Sequence, residues 1–126
     1  MVALFGEAFR KALGDKKGIT RYGFTLIPMD DALTQVSVDI SGRPFCGFTA
    51  NIGEELVSDL ETALVKHFFV SFATAGMLTL HIRLIDGEDP HHKIESIFKS
   101  FARALKQACT INKDHSESLP STKGVL

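Results

Sequence analysis

The chain has 126 residues and a mass of 13.8 kDa, 44% hydrophobic and 23% charged, which suits one globular core. Its 14 basic side chains against 15 acidic ones, with a pI near 6.5, leave no electrostatic footprint for a nucleic acid or an anionic membrane. No apolar run approaches the roughly 20 residues of a spanning helix, and Cys46 and Cys109, far apart and without a secretory leader, point to packing residues in a reduced cytoplasmic setting.

Val2, Phe5, Phe9, Ala12 and Leu13 recur at helical spacing and Gly14 follows as a stop, which predicts a helix over 2–13. Nothing ahead of Val2 can cap its first turn, the mark of a helix truncated at its start. Three strands are expected next, at 22–28, 33–40 and 45–50. The first puts Tyr22, Phe24 and Leu26 on one face. In the second, Val36, Val38 and Ile40 alternate with Gln35, Ser37 and Asp39, the period of a sheet with one buried face. PMDD and SGRP supply turns.

Leu60, Leu64, Phe68 and Phe72 predict a long helix over 54–75, closed by Gly76. A fourth strand over 78–84 alternates Leu78, Leu80, Ile82 and Leu84 against Thr79, His81 and Arg83. DGEDP then turns the chain into a last helix that opens with two histidines and runs toward Cys109. Residues 111–126 are polar and turn-rich, a loop or tail rather than core. Strands in a run, with helices able to cover one face, argue for an α+β fold: a sheet with helices packed on one side. FGEAFRKA (5–12) also superposes on FARALKQA (101–108), with Phe5 on Phe101, Ala8 on Ala104 and Ala12 on Ala108. Convergent amphipathic patterning and an internal repeat account for this equally well.

At about 100° per residue, His91, Glu95 and Lys99 share one face of the last helix with His92 at its edge. Ile94, Ile97, Phe98, Phe101, Leu105 and Ala108 occupy another. Imidazole nitrogen and carboxylate oxygen are good donors to divalent transition metals, and the i, i+4 spacing aims His91 and Glu95 at one ion, with His92 turned toward a second. Two histidines after Asp-Pro also suit a solvated first turn. His67, at the edge of an apolar stripe, is either a hydrogen-bonded core-edge residue or a further ligand. His81 reads as an exposed strand residue and His115 as part of the tail. Arg21 and Arg43, in or near turns, can offer planar forks to a phosphate. Lys99 lies one turn beyond Glu95, and the STKG tail can close over an anion with Ser121 and Lys123.

Taken in order, ALGDKKGITRYG, PMDDAL, VDISGRPF, LVKHFF, LTLHI, HHKIESIFKSFARAL and PSTKGVL resemble imidazoleglycerol-phosphate dehydratase of histidine biosynthesis, over residues 3–126. The resemblance implies two similar halves, each with an HHxxE helix, that together hold two Mn²⁺ ions in homo-oligomers with sites shared between subunits. Only the second half is represented: 1–14 would be the end of a first-repeat helix, 15–110 the second repeat and 111–126 the C-terminal tail, with the first half expected before Met1. By motif, His67, His91, His92 and Glu95 match metal ligands, and Arg21, Arg43, Lys99, Ser121 and Lys123 match contacts to the substrate phosphate. The reaction implied is loss of water from imidazole glycerol phosphate to give imidazole acetol phosphate, with the metal as Lewis acid and Glu95 as ligand or proton carrier. The competing reading is a truncated, non-catalytic chain that self-associates or complements a missing half. A zinc hydrolase is disfavoured, since no HExxH helix occurs.

Overall fold

The structure, a computed structural model, describes all 126 residues. In chain order it comprises α1 (Val2–Leu13), β1 (Tyr22–Met29), β2 (Ala32–Asp39), β3 (Phe45–Thr49), β4 (Leu56–Val57), β5 (Leu60–Glu61), α2 (Ala63–Gly76), β6 (Thr79–Asp86) and α3 (Pro90–Cys109). β1 and β2 form a hairpin through Asp30 and Asp31, with Met29 opposite Ala32 and Tyr22 opposite Asp39. β2 pairs antiparallel with β6 and β3 joins β6 in parallel, giving the order β1-β2-β6-β3. The α2 crossover between β3 and β6 is what a parallel pair requires. β4 and β5 make a separate small hairpin.

Alternation decides which face is covered. Gly23, Thr25, Thr34, Val36, Val38, Leu80 and Ile82 all turn to one side and are buried there. α3 covers β1 and β2, α2 lies toward β3 and β6, and α1 packs on α2. The expected α+β arrangement, a sheet with helices on one face, is what the chain adopts. The core centres on fully buried Phe69, whose ring meets those of Phe48, Phe68, Phe98 and Phe101 at centroid distances of 4.9–6.1 Å. Such aromatic clusters contribute large buried areas and favoured edge contacts.

α3 uses two inner stripes. One, with Ile94, Ile97, Phe98 and Phe101, packs into the core. The other, with Ser96, Ser100 and Ala104, lies directly on the sheet. There Thr25 Oγ1 donates to Ser100 O at 2.8 Å, Ser100 Oγ donates to Thr34 O at 2.8 Å, and the Thr34 and Ser96 hydroxyls are 2.6 Å apart. Small residues let the helix backbone approach closely, and each buried hydroxyl finds a partner.

Several expectations need correction. Residues 54–62 are not helical: Ser58 takes φ +54°, β4 turns into β5, and Thr62 Oγ1 donates to Glu54 O at 2.6 Å. α2 therefore starts at Ala63. Its buried stripe is Val65, Phe69, Phe72 and Ala73, while Leu60 and Leu64 are exposed. A strict four-residue step drifts about 40° per step from the helical period, so a run with apolar residues on adjacent positions admits more than one stripe. Gly76 is the last helical residue rather than the stop, and Met77 takes the left-handed conformation. In α1, Phe5 is exposed; Gly6 is buried instead, so close to α2 that an added Cβ would lie 2.7 Å from Phe72 O. Tyr22, Phe24 and Leu26 do share a face, and it is the open one.

Candidate functional site

Asp89 opens α3. Its side chain accepts from the backbone N–H groups of His91 and His92, and Pro90 occupies the first turn, where its missing N–H costs nothing. This cap fixes where the histidines emerge. His91 Nε2 lies 3.4 Å from Glu95 Oε2, one turn on, and Glu95 Oε1 accepts from Lys99 Nζ at 2.7 Å. His91 and Glu95 thus face each other as their spacing anticipated. The Lys99 ammonium, with His91 nearby, holds the Glu95 carboxyl below its ordinary pKa. An ionised carboxylate beside an imidazole is a donor pair suited to a divalent cation.

His92 points away, toward the β1–β2 turn. Its Nδ1 lies 2.6 Å from Asp31 Oδ1, and its Nε2 is 3.6 Å from Asp30 Oδ2. Asp31 also accepts from the N–H groups of Glu88 and Asp89, and these bonds with His92 hold its carboxyl far below the usual carboxylate range. The same contact with Asp31 raises the pKa of His92. The sequence offered Asp30 and Asp31 only as a turn. The available signal was a pair of carboxylates in a hairpin next to a strand whose far neighbour leads into the histidines.

His67 stands apart. It is exposed on α2, its Nε2 3.4 Å from Ser71 Oγ, with Leu64, Phe68 and Phe98 nearby. No hydrogen bond or ion pair joins it to His91, His92 or Glu95. Nowhere do three or more His, Cys, Asp or Glu side chains converge closely enough to hold an ion. The donors suit a divalent transition metal in kind, and a single chain supplies too few of them for a closed coordination shell.

The basic residues form a second group. Arg21, at φ +72°, directs Nε to Asp39 Oδ1 at 2.7 Å, Nη2 to Asp39 Oδ2 at 3.3 Å and Nη1 to Pro120 O at 2.9 Å. The bond to Asp39 raises its already high pKa. Ser118 O accepts from Gly18 N–H at 2.8 Å, Ile19 bridges to Ile111, and the chain's last carbon lies against Gly42. The tail is therefore tied down beside Arg21 and Gly42, with Ser121 directly after Pro120, while Arg43 directs Nη1 to Ser41 O at 3.3 Å within its own loop. Asp39, which the sequence offered only as a polar position on the outer face of its strand, is the residue that orients Arg21. Lys99 does not join this group; it sits with Glu95, its Nζ 3.6 Å from Met29 Sδ. His81 lies on the open sheet face against the Phe45 ring.

Residues 1–105 match the sequence model of imidazoleglycerol-phosphate dehydratase. The chain belongs to that family. It is similar to the imidazoleglycerol-phosphate dehydratase of Clostridioides difficile, 50% identical over 121 residues, covering 96% of this chain and 62% of that protein. It is also 50% identical over 121 residues to a histidine biosynthesis bifunctional protein of Spirosoma linguale, covering 31% of that longer protein. Among solved structures, the imidazoleglycerol-phosphate dehydratase of Staphylococcus aureus superposes with a TM-score of 0.86 at 44% identity, over 88% of this chain and 64% of that one. The enzyme from Pyrococcus furiosus, solved in complex with (S)-C348, superposes with a TM-score of 0.85 at 38% identity, over 99% of this chain and 67% of that one. This member of the dehydratase family thus spans less than two thirds of the curated relatives it matches first.

Proposed function

We propose that the chain supplies the second half of an imidazoleglycerol-phosphate dehydratase, which removes water from imidazole glycerol phosphate in a Mn²⁺-dependent reaction, at sites completed by another half or another subunit. The observation that carries this is the separation of the two residue groups. β1 has eight residues, with Arg21 before it and the Asp30–Asp31 turn after it. At about 3.3 Å per residue its ends are roughly 25 Å apart. The imidazole and carboxylate donors lie at one end, with Lys99 beside Glu95, and Arg21 and the tail bound to it lie at the other, so no one small substrate reaches both ends within one chain.

Within each half-site the roles follow from chemistry. His91, His92, Glu95 and, by motif, His67 would hold Mn²⁺, which when bound supplies Lewis acidity toward the substrate's imidazole ring. Lys99 keeps Glu95 ionised and therefore able to ligate. Arg21, with five N–H donors and three of them engaged, retains two for a phosphate oxygen. Arg43, Ser121 and Lys123 add a second guanidinium, a hydroxyl and an ammonium, so that phosphate binding fixes the reacting end of the substrate.

The alternative, a non-catalytic chain that self-associates or complements a missing half, has support of its own. Leu4, Phe5, Leu56, Leu64, Tyr22, Phe24 and Phe45 are each about half exposed or more, apolar surface of the kind that marks an uncovered interface. The test is formation of imidazole acetol phosphate by the purified chain with Mn²⁺, alone and after adding a first-half polypeptide. Turnover that His91→Ala abolishes supports the enzyme reading. Folded protein that stays inactive with both additions supports the non-catalytic one.

A further inference from the structure

The two adjacent histidines are held very differently. The His91 side chain is 69% exposed, and its one charged neighbour is Glu95, at Nε2. His92 is 27% exposed, and its Nδ1 is engaged by Asp31 at 2.6 Å. Asp31 is itself fixed, because Oδ2 accepts from Glu88 N–H at 2.5 Å and Asp89 N–H at 2.9 Å. Those two N–H groups belong to the turn that leads into α3, so one carboxylate ties the β1–β2 hairpin to the start of the histidine helix.

From this geometry we infer that Asp31 is a positioning residue, one that locks the His92 ring with Nδ1 protonated and its Nε2 lone pair turned outward for a divalent cation. This role for Asp31 rests on the metal reading given above and adds a residue to it. The two backbone N–H bonds to Oδ2 favour the ionised carboxylate, which only accepts, so the short bond between Oδ1 and the ring is donated by Nδ1. A neutral imidazole with Nδ1 protonated has its remaining lone pair at Nε2, the atom that leans toward Asp30 and solvent. Partners of this kind, behind a ligating histidine, fix its tautomer and ring orientation, and their loss typically weakens metal affinity by about 10–100-fold.

Asp31→Asn makes a sharp test because it keeps the shape. The backbone N–H groups of Glu88 and Asp89 will hold the amide oxygen, which leaves the amide NH₂ facing the ring. Nδ1 must then accept, Nε2 carries the proton, and the outward lone pair is gone. Two measurements on the full chain read this out. Long-range ¹H–¹⁵N NMR of the metal-free protein at alkaline pH, where the ring is neutral, reports the His92 tautomer. Electron paramagnetic resonance of free Mn²⁺, carried to millimolar metal so that an incomplete shell still registers, reports affinity.

The expected result is Nδ1–H in the wild type, Nε2–H in Asp31→Asn, and an affinity about 10–100-fold lower in the variant, with circular dichroism unchanged. Nε2–H in the wild type overturns the inference by the tautomer alone. Wild-type Mn²⁺ binding matched by Asp31→Asn overturns the role of Asp31 and leaves the metal reading standing. A wild type with the Nδ1–H ring but no Mn²⁺ binding, either alone or with a first-half polypeptide added, defeats the metal reading, and the role given to Asp31 falls with it.

Discussion

Gly23 faces α3 where strand and helix backbones meet, and its replacement by alanine tests whether that seam carries the fold. A Cβ added there would lie 1.8 Å from Ala104 O and 2.7 Å from Ala104 C. Both are backbone atoms, so no rotamer change can relieve the clash. To reach the 3.4 Å at which ordinary contact begins, β1 and α3 must separate by about 1.6 Å. That movement breaks the buried bond from Thr25 Oγ1 to Ser100 O, 2.8 Å long, in the neighbouring register position. Overpacking of this kind costs about 1–3 kcal/mol and an orphaned buried hydrogen-bonding group about 1–3 kcal/mol more.

The expected loss is therefore about 3 kcal/mol, read as the urea midpoint at fixed protein concentration. With an m-value of about 1.5 kcal/mol per molar, the midpoint falls by about 2 M. Gly47→Ala is the control: it lies in β3 of the same sheet, and its nearest neighbour is His81 Nδ1 at 2.9 Å, the end of a side chain on the open face that can turn aside. A shift below about 1 kcal/mol is expected there. If Gly23→Ala loses no more than Gly47→Ala, the close seam does not bear on stability and the reasoning fails.

Three further outcomes follow from the site. Lys99→Ala removes the leading cause of the lowered Glu95 pKa, so the Glu95 carboxyl should titrate at higher pH; NMR of the side-chain carboxyl reads this, and an unchanged titration would show that Lys99 does not hold it. Under the proposed metal role, protonation of Glu95 would remove a ligand, so Mn²⁺ binding in that variant should also fail at a higher pH than in the wild type as the solution is acidified. Arg21→Ala cuts the tie to Pro120 and the pair with Asp39, so the segment after Cys109 should be clipped faster in limited proteolysis, with α3 itself unaffected. Cys46 and Cys109 are half-buried and burial raises both thiol pKa values, so alkylation by iodoacetamide near neutral pH should run well below the rate of free cysteine.

What the sequence disclosed follows from how locally each feature is encoded. Period-two alternation in β2 and β6 needs no knowledge of partners, and the structure matches it nearly residue for residue. The i, i+4 pairing of His91 and Glu95 is a property of one helix and is equally legible. The β4–β5 hairpin was hidden because Leu56, Leu60 and Leu64 mimic a helical stripe; only the left-handed Ser58 and the bond from Thr62 to Glu54 break it. β1 misleads in another way: its large apolar side chains face outward, while glycine and threonine face in, because α3 comes too near for anything bulkier. What Asp31 and Asp39 do is invisible in the sequence for a third reason. Each acts across about 20 to 60 residues, on Arg21 or His92, and nothing short-range marks such a pairing.

A strand cannot be stretched, and β1 holds the two residue groups at its opposite ends. Where each working site draws one group from one chain and the other from its neighbour, injuries to the two ends are separable. A chain carrying His91→Ala still offers an intact Arg21 cluster, and one carrying Arg21→Ala still offers intact imidazoles. Mixed at equal amounts and assembled at random, two such inactive chains would form about a quarter of their sites from undamaged parts. In genetic terms, two null alleles of a protein so arranged would rescue one another when co-expressed, though neither is active alone.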